Sequence, residues 1–340
     1  METVEMADVV GIGALNYDEL YAVERIASAG EEAGVFSMKS APGGSAANTI
    51  VGLARLGVST AFIGVVGDDS AGHRIIYDFR REGVNVTHIK RIRGKTGRAL
   101  SFVEPGGERA LYVFAGVNDK LNISDDDFST IKSAKLLHMS SFVSDEQLKM
   151  QIEIAKRTHM HTKISFSPGM LCFRHSIDDL AEIFARCSVV FLSRREVESL
   201  TCEVESLTTD EHVKRTEGAR RILETGAEVV CVTLGERGCL IITESEEVSV
   251  PAFQTNVVDT TGAGDAFAAG FIFGMLRGYS IKKCGEIGNF VASCCIQHFG
   301  CRKGLPRTIN LPHERTRLSE NHSENQEEHG RSRRSMENAR

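Results

Sequence analysis

The stretch Asp259-Thr260-Thr261-Gly262-Ala263-Gly264-Asp265-Ala266-Phe267 carries the residue types best suited to chemistry in this chain. Gly262 and Gly264 let the backbone N–H groups of 262–265 approach an anion closely. Asp265 falls in the first turn of a predicted helix, whose positive end attracts the same negative charge. A carboxylate beside an anion cradle suits one task well: taking a proton from a hydroxyl as it attacks a phosphoryl group. A strand–turn–helix junction capped by an aspartate leaves the same local signature, so the rest of the chain has to decide.

Three further stretches bear on that decision. Asn16 and Asp18 alternate after the first predicted strand, so both side chains point the same way. A carboxamide beside a carboxylate can hold a vicinal diol, although a solvated turn is the plainer reading. Pro42-Gly43-Gly44-Ser45-Ala46-Ala47-Asn48-Thr49-Ile50 joins glycines that permit close backbone approach to small residues that let a helix pack tightly, with Asn48 about one turn in. Thr233-Leu234-Gly235-Glu236-Arg237-Gly238 ends a strand and reads either as a hairpin turn or as a contact for nucleotide phosphate and sugar. Two other nucleotide motifs fail. Gly11-Ile12-Gly13 lacks its third glycine, with Asn16 in that place, and Gly94-Lys95-Thr96 has Ile89 where a P-loop needs its leading glycine.

The elements that must position these residues follow from hydrophobic periodicity. Short β-branched runs at 8–13, 61–66, 135–139, 163–167, 188–193, 228–234 and 239–243 alternate with helical patterns at 45–56, 71–82, 145–157, 212–225, 265–277 and 281–299. That alternation predicts an α/β fold with a mostly parallel sheet covered by helices on both faces, binding its ligand beyond the strand carboxyl ends. Segments 14–42 and 95–116 break the rhythm; the second holds two β-patterned runs around Glu104-Pro105-Gly106-Gly107-Glu108. Both are expected to project from the sheet as a small lid. Beyond residue 312 the chain is almost devoid of apolar side chains, so residues 313–340 are expected to be disordered and 1–312 to form the folded domain.

Composition closes off other classes. The chain has 340 residues, 41% hydrophobic and 25% charged, with a formal net charge of −6, which disfavours nucleic acid as a partner. No apolar run reaches the roughly 20 residues needed to cross a bilayer, and no signal peptide is evident, so a cytoplasmic enzyme is expected. Nine cysteines are scattered without a CxxC pair, as expected of reduced, mostly buried thiols. His159-Met160-His161 reads as an exposed segment between elements.

The four stretches, in this order, resemble the ribokinase-like (PfkB) carbohydrate kinase family over about residues 7–312. The resemblance implies a three-layer α/β/α sandwich with a small β lid, and transfer of the ATP γ-phosphoryl group to a sugar or nucleoside hydroxyl. It implies Asp265 as the base and Gly262, Ala263 and Gly264 as the anion hole. Asn16, Asp18, Gly43, Gly44 and Asn48 correspond to sugar-holding residues, Thr233, Gly235 and Gly238 to the nucleotide turn, and Asn289 to a position beside the adenine. Asp259 and the Thr261 carbonyl correspond to ligands of a monovalent cation such as K+. Mg2+ would arrive with ATP; Ser193 and Glu196 stand where many members carry Asn-x-x-Glu, acting on the metal through water.

Substrate features lean toward a nucleoside. Ser45 replaces the lysine of ribokinases, Met139-Ser140-Ser141 lacks their carboxylate, and Gly288–Ser293 with Gly300-Cys301 and Leu305-Pro306 is similar to adenosine and archaeal nucleoside kinases. Ribose remains open. So does a sugar phosphate, held by Arg98, Arg109 and Lys95, and so does a non-catalytic sugar or nucleoside sensor. The family resemblance also leaves room for a homodimer through the lid strands.

Overall fold

A computed structural model describes residues 7–106, 108–201 and 211–311. Among the described residues, the chain through Arg307 forms one compact unit and residues 308–311 fall outside it. The expected tail, 313–340, lies outside the described residues.

Thirteen strands are described: β1 Val9–Ile12, β2 Asn16–Val23, β3 Val35–Gly43, β4 Thr60–Gly67, β5 Ile89–Ile92, β6 Gly97–Val103, β7 Arg109–Phe114, β8 Leu136–Ser140, β9 Lys163–Ser167, β10 Val189–Ser193, β11 Val230–Thr233, β12 Cys239–Ile242 and β13 Glu247–Val250. Nine form one sheet in the order β13-β12-β11-β10-β9-β8-β1-β4-β5, in which only the β11–β12 and β12–β13 pairs are antiparallel. The other four make a small sheet, β3-β2-β6-β7, from the two segments that broke the sequence rhythm.

Helices cover both faces of the large sheet. They are α1 Ser45–Arg55, α2 Ser70–Arg81, α3 Asp125–Ser133, α4 Asp145–Arg157, α5 Gly169–Cys172, α6 Ile177–Phe184, α7 Arg194–Thr201, α8 Glu211–Glu224, α9 Ala263–Leu276 and α10 Ile281–Cys295. On one face Phe128, Leu148, Leu180, Ile183 and Ile222 bury against Val10, Ile12, Leu137, Met139, Phe166 and Leu192. On the other, Phe191 of β10 meets Phe267 and Phe271 of α9 with ring centroids 6.0 and 5.5 Å away. Gly52 permits the close approach of α1 to α9: a Cβ there would stand 2.7 Å from Ala269 Cβ.

Periodicity missed α3, α5, α6 and α7, which span only 9, 4, 8 and 8 residues and so repeat the pattern over few turns. The starts of α3 and α6 were legible in another way. Ser124 with Asp127, and Ser176 with Asp179, form reciprocal capping boxes. The helix expected over 281–299 stops at Cys295 instead. Its end is diverted because the Ile296 carbonyl accepts from Val258 N (2.8 Å) and Asp259 N (3.2 Å), which fastens the helix terminus to the glycine-rich loop.

Candidate active site

Gly262 is the residue before α9, in the left-handed region at φ 79°, where a side chain would be strained. This turn places Asp265 in the first helical turn, facing the start of α1. Ser45 Oγ donates to Asp265 Oδ1 (2.7 Å), Asn48 Nδ2 donates to Oδ2 (2.9 Å), and Thr49 Oγ1 donates to the Asp265 carbonyl (3.2 Å). The diglycine loop lets α1 begin this close: Gly44 has φ 102°, and a Cβ on it would lie 2.2 Å from the Ala14 carbonyl oxygen. Burial pushes the Asp265 carboxyl up to about 6, against the lowering effect of Asn48, Ser45 and Arg302, while Glu196 adds to the rise. Such a group is ionised at neutral pH yet basic enough to accept a proton.

Two cavities meet here. The smaller, about 240 Å³, is lined by Asn16, Ser45, Ser140, Ser141 and Ser167 among its polar groups, and by Val113, Phe142, Val143, Leu171 and Phe191 among its apolar ones. Asp265, Ser193 and Glu196 also face it. The larger, about 910 Å³, is walled by Phe253, Val257, Phe267, Ala292 and Ile296, with Gly235, Gly238 and Asn289 on its border. Thr233 and Gly264 line both cavities. A Cβ built on Gly264 would meet no atom within 4 Å, so open space lies over the first turn of α9.

The other expected residues are placed as follows. Asn16 is buried, and its Oδ1 accepts from Asn118 Nδ2 (3.0 Å), which leaves the Asn16 NH2 for the cavity. Asp18 packs so tightly on Gly43 that a Cβ there would stand 1.9 Å from its Oδ2. Its buried Oδ1 has no partner, and burial pushes its carboxyl up to about 7, with Arg302 acting downward and Asp265 upward. That oxygen has room for a further donor, although Asp18 itself lines neither cavity. Asn289 spends its amide on the Val250 and Pro251 carbonyls (3.0 Å each), shaping the wall of the larger cavity.

Ser193 and Glu196 form a capping box for α7: Ser193 N donates to Glu196 Oε2 (2.6 Å) and Glu196 N to Ser193 Oγ (3.3 Å). They face the smaller cavity, not the larger. Asp259 accepts from Thr261 N and Gly300 N, one per carboxylate oxygen (2.9 Å each), and so ties the glycine loop to the segment after α10. Arg98 is held by Glu19. Strand register puts Arg98 in line with Phe114 and Tyr17, on the opposite face of the small sheet from Asp18 and Val113. It is therefore turned away from the cavity.

Two residues escaped sequence reasoning. Asn118 orients Asn16 and binds Leu15 N (2.9 Å), and Arg302 binds Asn48 Oδ1 (2.9 Å). Neither sits in a motif that names a role.

Residues 6–308 match the pfkB family of carbohydrate kinases. The chain belongs to this family. An uncharacterised sugar kinase of Archaeoglobus fulgidus is 39% identical over 260 residues, which is 76% of this chain and 100% of that one. A nucleoside kinase of Methanocaldococcus jannaschii is 24% identical over 314 residues, 89% of this chain and 94% of its own. The structure of Arabidopsis thaliana ribokinase complexed with ribose and ATP shares the fold, at a TM-score of 0.76 and 23% identity over 90% of this chain and 96% of that chain. Like the other pfkB kinases, this chain is a phosphotransferase with an alcohol acceptor.

Proposed function

We propose that the protein transfers the γ-phosphoryl group of ATP to the primary hydroxyl of a nucleoside. The observation that carries this reading is the position of Asp265 at the junction of two cavities of different character. The larger has the apolar walls that suit an adenine, and the Thr233–Gly238 turn for the phosphates. The smaller combines hydroxyl and amide groups near Asp265 with the apolar side chains Val113, Phe142, Val143 and Leu171, which suit the flat face of a base. Among the described residues no Lys or Arg lines the smaller cavity, which speaks against a sugar phosphate.

Asp265 takes the proton from the acceptor hydroxyl, and Ser45 and Asn48 keep its two oxygens in place. The N–H groups of Gly262 and Gly264, at the positive end of α9, face the charge that develops on the transferring group, whereas Ala263 N donates to the Thr260 carbonyl (3.2 Å) and braces the turn. Asp18 and Asn16 hold acceptor hydroxyls from the lid side, and closure of the lid would exclude water. Glu196 fits a role toward Mg2+ through water, because its capping bond occupies only Oε2 and the residue faces the smaller cavity. Mg2+ would neutralise charge on the ATP phosphates. Asp259 and the Thr261 carbonyl would be the oxygen donors for K+, in the loop that carries the anion hole, with Asp259 already fixed by Thr261 N and Gly300 N.

ADP release measured across adenosine, other nucleosides, ribose, fructose and sugar phosphates tests the reading. The highest kcat/KM is expected with a nucleoside; turnover confined to free sugars or sugar phosphates would overturn it. Free ribose is the second reading, favoured by the serines of the smaller cavity and by the sugar-kinase name of the 39% identical relative.

The outer face of the lid bears on assembly. Met38, Tyr112 and Phe114 are 59%, 62% and 52% exposed and lie in register with Tyr21, Leu100 and Arg98. A homodimer through this face would cover them. Tyr112→Lys is expected to weaken self-association in analytical ultracentrifugation; an identical monomeric mass for both proteins removes the proposal.

A further inference from the structure

Arg302 lies in Gly300-Cys301-Arg302, beyond the end of α10, and is 9% exposed. Its Nε–H donates to Asn48 Oδ1 (2.9 Å), one terminal nitrogen to Asp78 Oδ2, and the other to the Gly43 carbonyl (3.4 Å). The guanidinium carbon also stands 5.4 Å from the centre of the Phe79 ring. One side chain thus joins α1, α2 and the end of lid strand β3.

A guanidinium has five donors and no acceptor. Asn48 can meet it only with its carbonyl oxygen, so the Asn48 NH2 has to point the other way, toward Asp265 Oδ2. Without Arg302 only Asp265 itself would hold the amide in this orientation, and a turned amide would set its oxygen against the carboxylate. The Gly43 carbonyl gains a fixed donor from the same side chain, and Asp18 packs directly on Gly43.

We propose that Arg302 is a positioning residue for phosphoryl transfer: it fixes the orientation of Asn48, through it the seat of Asp265, and, through Gly43, the lid strand beside Asp18. The inference rests on Asp265 being the base. The groups that face Asp265 are Ser45 and Asn48 from α1, Glu196 from α7, Asp18 from the lid, and the Cys295 and Cys301 thiols, whose pKa values burial raises far enough to keep them neutral. Among them Arg302 supplies the positive charge, and it acts downward on both Asp265 and Asp18.

The test needs no knowledge of the acceptor. The difference in stability between the wild type and Asp265→Asn, measured by urea denaturation from pH 4 to 9, levels off at the native pKa of Asp265. In the Arg302 background that point is expected near pH 6. In an Arg302→Met background it should move up by about one unit or more, since an opposite charge and an oriented donor are both lost. A residue with a merely packing role would lower stability at every pH and leave the midpoint where it was; that result overturns the proposal. Arg302→Lys keeps the charge without the fork and is expected to shift the midpoint less, which guards against a Met variant that folds poorly. In ADP-release assays with adenosine and with ribose, Arg302→Met is expected to lower kcat about tenfold or more while the KM for ATP stays within about twofold. If Asp265→Asn retains turnover, the base reading fails; an unmoved midpoint with an inactive Asp265→Asn sinks only the role of Arg302.

Discussion

Asp265→Asn is expected to cut kcat by about 10²–10⁴-fold, the range that a positioned general base supplies. The substitution is nearly isosteric. The introduced amide can accept from Asn48 Nδ2 with its oxygen and donate to Ser45 Oγ, so the site keeps its shape and the KM for ATP should hardly change. In the wild type, activity should fall as pH drops through about 6, because only the ionised carboxylate can take a proton. Stability should move the opposite way. The native state binds the proton more tightly than the unfolded chain, whose carboxyl titrates near 3.8, so the group favours folding below that pH and loses its contribution as pH rises to about 6. The Asn variant should therefore unfold at a higher temperature than the wild type at pH 8 and at about the same temperature at pH 4. Thermal unfolding at the two pH values decides the matter; a wild type that is the more stable protein at pH 8 would contradict the burial of that charge.

Gly264→Ala should separate activity from stability. The residue sits in the first turn of α9, where alanine is the better helix former, and its new methyl would meet no protein atom within 4 Å. Stability is expected to stay level or to rise by up to about 1 kcal/mol. The methyl would project, however, into the space shared by the two cavities, where the transferring group must pass. A fall in kcat on the order of 10²-fold is expected, comparable to losing one oxyanion donor. Gly262→Ala is the contrasting control: at φ 79°, with its Cβ 2.6 Å from Cys301 Cβ, it should lose both stability and activity. An unimpaired Gly264→Ala enzyme would mean that the phosphoryl group travels elsewhere.

Most of the candidate site could be read from spacing because its residues lie where secondary structure begins. Gly262 to Asp265, Gly43 to Asn48 and Thr233 to Gly238 are each a strand end, a turn or a first helical turn. There the demand for glycine and for a short polar side chain is local, and local demands leave a mark in sequence. Alternation of short and long apolar patterns likewise foretold the layered sheet, and its interruptions marked the lid. Ser193 and Glu196 show the opposite hazard: a spacing that reads as metal chemistry is also a helix cap, and the same two residues form that cap here.

What the chain alone determined was therefore the kind of fold, the family and the residue proposed as the base. Tertiary structure decided which side chains act on that residue, because those interactions span long separations. Ser45 meets Asp265 across 220 positions, and Arg302 meets Asn48 across 254. It also turned Arg98 outward, by the register of β6 against β2 and β7. A hydrogen bond over such a distance imposes no periodicity and no turn chemistry on either residue. Only the packing of α1 against α9, with the end of α10 folded back beneath the glycine loop, brings these partners within reach.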